Sequence, residues 1–135
     1  MVFHRSRIKI KTQHILLGDT KLKQMNFTKF LGMIIDDKLN FINHIAYIKN
    51  TISKGLGITI KAWKYLNKKV LVNLYNTFVL PYLIYCVEIW GNACDTHLDP
   101  LIKLQKKIIR FISFSTYTEH TTPLFLKLNI LPLKK

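Results

Sequence analysis

The chain has 135 residues, 21 Lys plus Arg and seven Asp plus Glu, for a formal net charge of +14 at pH 7. A surface this one-sided repels itself unless something anionic neutralises it, and nucleic acid is the commonest such partner. Hydrophobic residues make up 49%, which excludes wholesale disorder. The acidic set is Asp19, Asp36, Asp37, Glu88, Asp95, Asp99 and Glu119. Two-metal phosphoryl transfer needs convergent carboxylates, so the scarcity argues against it. Cys86 and Cys94 are too few for a disulfide framework and read as reduced thiols of an intracellular protein. No apolar stretch in the first residues resembles a secretory signal.

In chain order, the beginning reads as strands. Met1–Phe3 is apolar, and Arg5–Lys11 alternates basic residues with Ile8 and Ile10. Gly18-Asp19-Thr20 is a turn signal between two short apolar-containing runs, which predicts a hairpin. Asn26–Asp36 is a further strand candidate, read as one strand with buried portions. After Asp37 the period changes. Asn40 is a helix-cap residue. Ile42, Ile45, Ile48, Ile52, Leu56, Ile60 and Trp63 recur at helical steps and predict one helix over 41–65. Gly55 and Gly57 lower its propensity and suggest close packing against a neighbour.

Asn67 caps the next predicted helix, 68–90, with a kink near Pro81 and a close at Gly91. Its stretch Leu71–Trp90 has Glu88 as its sole charge, long enough to span a bilayer. Asn73, Asn76, Thr77 and Pro81 argue instead for a buried amphipathic helix, and no membrane partner is expected. Asp95–Pro100 opens another helix, with Pro100 assigned to the first turn. Leu101, Leu104, Ile108 and Ile112 form its apolar stripe, with Lys103, Lys106, Lys107 and Arg110 on other faces. A short helix is predicted over 122–128. Strands first and helices after make an α+β fold: short N-terminal antiparallel strands, then three to four helices. Both ends read as cut from something longer.

The motifs carry a resemblance. The run 27–36 (FTKFLGMIID), followed by Leu39, Phe41, His44 and Ile45, is similar to a signature of non-LTR (LINE-type, jockey- or CR1-like) retrotransposon reverse transcriptases. Leu74-Tyr75 through 81–86 (PYLIYC) to Trp90-Gly91 resembles a second family segment. Residues 101–110, with Gln105-Lys106-Lys107, resemble a third. The runs 120–125 (HTTPLF) and 128–132 (LNILP) resemble the end of the thumb region. The order is preserved across nearly the whole chain.

The resemblance implies a division into residual palm strands over 1–38, with a segment like the primer grip, and a helical thumb-like region over 39–135. It implies RNA–DNA hybrid or other nucleic acid as partner. The family's catalytic aspartates have no counterpart here, so no polymerase activity and no cofactor are expected of the chain itself. Magnesium is expected only in the full-length enzyme. Asp36-Asp37 mimics the catalytic pair, but an aromatic residue two before it is missing. A turn or helix-start role is the expectation there.

A thumb holds a duplex by its phosphates, which needs Lys and Arg on a rigid face. Lys103, Lys106, Lys107 and Arg110 are the candidates. Lys29, Phe30, Leu31 and Gly32 are the candidate primer grip, where a residue without a side chain permits close backbone approach. Missing palm partners predict exposed apolar strands, and self-association through them. His44, His97 and His120 fit no zinc template with Cys86 and Cys94. Trp63, Trp90, Tyr75, Tyr82 and Tyr85 are read as core. The rival reading is a small basic RNA-binding or scaffolding module unrelated to retroelements. A membrane-associated protein built on 71–90 is a third.

Overall fold

The computed structural model describes Met1, Phe3 and residues 16–134. The alternating run Arg5–Lys11, and Val2 within Met1–Phe3, lie outside the described residues. The chain divides into two compact units, Met1–His44 and Ile45–Lys135.

Among its described residues the first unit holds two antiparallel hairpins. In one, β1 (Leu16–Leu17) pairs with β2 (Thr20–Lys21). Gly18 has φ +60°, which the tight turn requires. In the other, β3 (Phe27–Phe30) pairs with β4 (Met33–Asp36), with Phe27 opposite Asp36 and Phe30 opposite Met33. This corrects the single-strand reading of 26–36. Leu31 and Gly32 both have positive φ, 45° and 81°, as a two-residue type I′ turn demands. A Leu-Gly pair gave no strong turn signal, because leucine rarely adopts that conformation.

Asp36 then shapes the exit from β4. Its Oδ1 accepts from the backbone N–H groups of Lys38 (3.1 Å) and Asn40 (2.9 Å). That is the turn role expected of it. Asn40 does not border the helix, as a cap would; Phe41 intervenes with φ 56°.

The second unit is helical. α1 (Ile42–Ala62) begins in the first unit and buries Ile45, Ile48, Ile52, Leu56 and Thr59. Ile42, assigned to its apolar face, is exposed. The buried Thr59 hydroxyl donates to the Gly55 carbonyl at 3.0 Å, which satisfies it inside the core. Gly55 is the close-packing glycine: a Cβ there would sit 3.2 Å from Val79 Cγ2 and 3.3 Å from the Phe78 carbonyl. At Gly57 a Cβ would meet nothing within 4 Å.

The helix expected over 68–90 is three pieces: α2 (Lys68–Phe78), α3 (Leu80–Ile84) and α4 (Val87–Trp90). Asn67 caps α2 as expected, its side chain accepting from Val70 N–H at 3.0 Å. Pro81 starts a new helix instead of kinking the old one, since its ring fits a first turn and not an interior. The second break lies at Tyr85, which is extended, and Cys86, at φ 51°. It leaves the Tyr85 carbonyl outside the helical ladder, and the Trp90 indole N–H donates to it at 2.8 Å. Gly91 closes α4 by close approach and not by a left-handed turn. Its φ is −68°, and a Cβ would lie 2.4 Å from the Val87 carbonyl oxygen.

α5 (Asp95–Ser113) buries Leu98, Leu101, Gln105, Ile108, Ile109 and Ile112. Leu104, placed on the stripe from sequence, is half-buried. Pro100 lies beyond the first turn, inside the helix. α6 (Thr122–Leu128) has the predicted bounds and ends at Asn129, φ 53°. The α+β order thus stands, with short two-stranded sheets and six helices among the described residues. Trp90 and Tyr75 are fully buried, Trp63 partly; Tyr82 and Tyr85 are exposed, contrary to the core assignment. No described helix is long and apolar enough to cross a membrane.

Candidate functional site

The helical period sorts α5 into two faces. Leu101, Gln105, Ile108 and Ile112 lie on the buried one, and Lys103, Lys106, Lys107 and Arg110 follow i, i+3, i+4, i+7 on the other. The three lysines are exposed and Arg110 is half-buried.

Gln105 anchors the buried face. Its Nε2 donates to the Tyr75 hydroxyl (2.9 Å) and to the Leu131 carbonyl (3.0 Å). Its Oε1 accepts from Leu133 N–H at 2.9 Å. The side chain thereby ties α2, α5 and the C-terminal tail together with its amide satisfied. Burial pushes the Tyr75 phenol up from its ordinary range, and the Gln105 hydrogen bond partly opposes this. An ion pair between Lys134 and Asp95 holds the tail to the start of α5.

On the opposite face, the four predicted cations line one open groove of about 470 Å3. The structure adds two residues that the sequence did not single out: Lys49 from α1 and Tyr117 from the loop after α5. Lys49 reaches the groove because α1 and α5 belong to one unit and line the same depression, a tertiary fact with no local signal. Pro100 and Leu104 complete the lining, which has no carboxylate among the described residues.

Tyr117 arrives by a defined turn. Phe114 ends α5 at φ 55°, and its N–H and that of Ser115 bond the Arg110 carbonyl. The chain folds back so that the Arg110 guanidinium lies 5.6 Å from the Tyr117 ring centroid. Arg110 Nε also donates to the Glu119 carbonyl at 3.2 Å, which fixes the side chain. Trp63 packs beneath the same turn, 6.1 Å from Phe111 and 5.8 Å from Phe114 between ring centroids.

The other candidates, Lys29, Phe30, Leu31 and Gly32, occupy the tip of the β3–β4 hairpin in the first unit. Lys29 and Phe30 end β3, and Leu31-Gly32 is the turn itself. All four are exposed. Among the described residues no group of three His, Cys, Asp or Glu is placed to hold a metal ion. Cys86 and Cys94 are free thiols; hydrogen bonds from Thr96 hold the exposed Cys94 below the ordinary thiol range.

Comparison with known proteins gives the ancestry. Over 104 residues the chain is 30% identical to the RNA-directed DNA polymerase from mobile element jockey of Drosophila funebris, covering 73% of this chain and 11% of that protein. The jockey polymerase of Drosophila melanogaster is 31% identical over 90 residues, 63% of this chain and 10% of its own length. A probable RNA-directed DNA polymerase from transposon X-element of the same species is 26% identical over 102 residues, 73% and 11% of the two chains. The chain belongs to the family of retrotransposon RNA-directed DNA polymerases. It spans about a tenth of the length of these polymerases. The unrelated-module reading is set aside by the same relatives. No protein-family profile matches the chain, and no solved structure does.

Proposed function

We propose that this polymerase segment holds a template–primer duplex by its phosphates, without reading sequence and without polymerising. The observation that carries the reading is the carboxylate-free groove in which Lys49, Lys103, Lys106, Lys107 and Arg110 converge. Cations on two helices that line one groove form an anion-binding strip, and an A-like heteroduplex is recognised by shape and backbone charge. The hairpin tip at Lys29–Gly32 is the second contact in this reading. Its two-residue turn presents a glycine at the apex, where backbone approaches a strand end most closely. Polymerisation in the full-length relatives takes carboxylates and magnesium that this segment is not proposed to supply; Asp36, the nearest mimic, holds the 37–40 turn.

The test is the salt dependence of binding. Duplex DNA and RNA–DNA hybrid binding should fall linearly in log K against log salt, with a slope near −0.9 per neutralised phosphate. Changing Lys103, Lys106, Lys107 and Arg110 together to Gln should flatten that slope by about 2 to 4 and weaken both duplexes alike. Circular dichroism checks that α5 persists, since its buried face is untouched. An unchanged slope with intact helicity overturns the reading.

A further inference from the structure

Tyr117 is 80% exposed, yet it is held in place. Among the described residues its ring is the one aromatic surface lining the basic groove, and with Lys107, Arg110, Phe111 and Ser115 it also walls an adjoining depression of about 160 Å3. The Arg110 guanidinium backs the ring at 5.6 Å, and the Glu119 carbonyl in turn holds Arg110. With the ring so open, a flat π surface remains for a second partner beside Lys103, Lys106 and Lys107.

The bases of an intact duplex have both faces covered by their neighbours, so a duplex offers this groove phosphates only. An unpaired nucleotide offers both a phosphate and a free base face. Base–aromatic stacking is sequence-tolerant, because every base has a π face. We propose that Tyr117, backed by Arg110, is a stacking platform for an unpaired nucleotide, so that the groove takes single-stranded nucleic acid or a strand end in preference to blunt duplex. The inference rests on the phosphate-binding reading above and adds to it the class of nucleic acid.

Three fluorescent probes test it by anisotropy: oligo(dT), an abasic strand of equal length, and a blunt duplex. Tyr117→Ala should weaken oligo(dT) binding roughly 5- to 150-fold, the range for losing one stacked base. It should leave the abasic strand and the blunt duplex unchanged, and Tyr117→Phe should bind like the wild type. Oligo(dT) binding unaffected by Tyr117→Ala, or an equal loss on the abasic strand, overturns the inference. The companion variant Lys103→Gln/Lys106→Gln/Lys107→Gln separates the two readings. If it weakens all three probes while Tyr117→Ala weakens none, stacking fails and phosphate binding stands. If it weakens none, the phosphate reading itself fails.

Discussion

The two units are stabilised by different means. In the helical unit α1, α2 and α5 each contribute fully buried side chains, among them Ile52, Leu71, Tyr75 and Ile108. In the hairpin unit β3 buries none of its residues, and Phe27, Phe30 and Leu31 are 53%, 61% and 74% exposed. Burial is the main favourable term in folding, so the helical unit carries most of the stability. The hairpin depends on its turn and on a few buried groups: Met33, Asp36, Phe41 and His44. Stability concentrated in one unit leaves the other free to present exposed apolar side chains.

The largest expected effect is at Trp90. It is fully buried and its indole N–H satisfies the Tyr85 carbonyl. Trp90→Ala should cost about 3–5 kcal/mol in chemical denaturation, by the usual penalty for a large buried aromatic. A loss near zero would deny the helical unit its leading role.

A smaller effect, and one that depends on pH, belongs to His44 in the hairpin unit. Burial holds its imidazole below the ordinary value of 6.5, and Nδ1 accepts from Ile34 N–H at 3.4 Å. Well above pH 6.5 the ring is neutral folded or unfolded, so it adds no pH dependence. As pH falls below that value the unfolded chain binds a proton that the folded ring resists, and stability drops until the folded ring also titrates. Denaturation midpoints across this window should decline with acid in the wild type and decline less in His44→Gln. Equal slopes in the two proteins would remove His44 from the account.

The smallest effect on stability is expected for Phe27→Thr with Phe30→Thr. Both positions are exposed and Thr keeps strand propensity, so the change should stay within about 0.5 kcal/mol per site. Concentration-dependent self-association, followed by light scattering, should nevertheless fall, because an exposed apolar strand templates pairing with another chain. A large loss of stability would mean that these rings are structural after all.

What local pattern encodes is legible in the sequence. The helical period placed α1, α5 and α6, Asn67 announced its cap, and the charge excess pointed to the Lys103–Arg110 face, since these signals lie within a few residues of one another. Where two weak local signals competed, the chain was misread: Leu31-Gly32 turns although leucine resists positive φ, and Pro81 starts a helix that periodicity had run through it. Only packing could decide the rest. Gln105 stands in a basic run, and it became a core residue because Tyr75 and the 131–133 backbone supply its partners. Lys49 lies more than fifty residues from the cations it joins, and Tyr117 meets Arg110 only because the chain reverses at Phe114. Sequence determines which face of a helix is charged, because the period is local; which charges share a groove is decided by the helices that pack beside it.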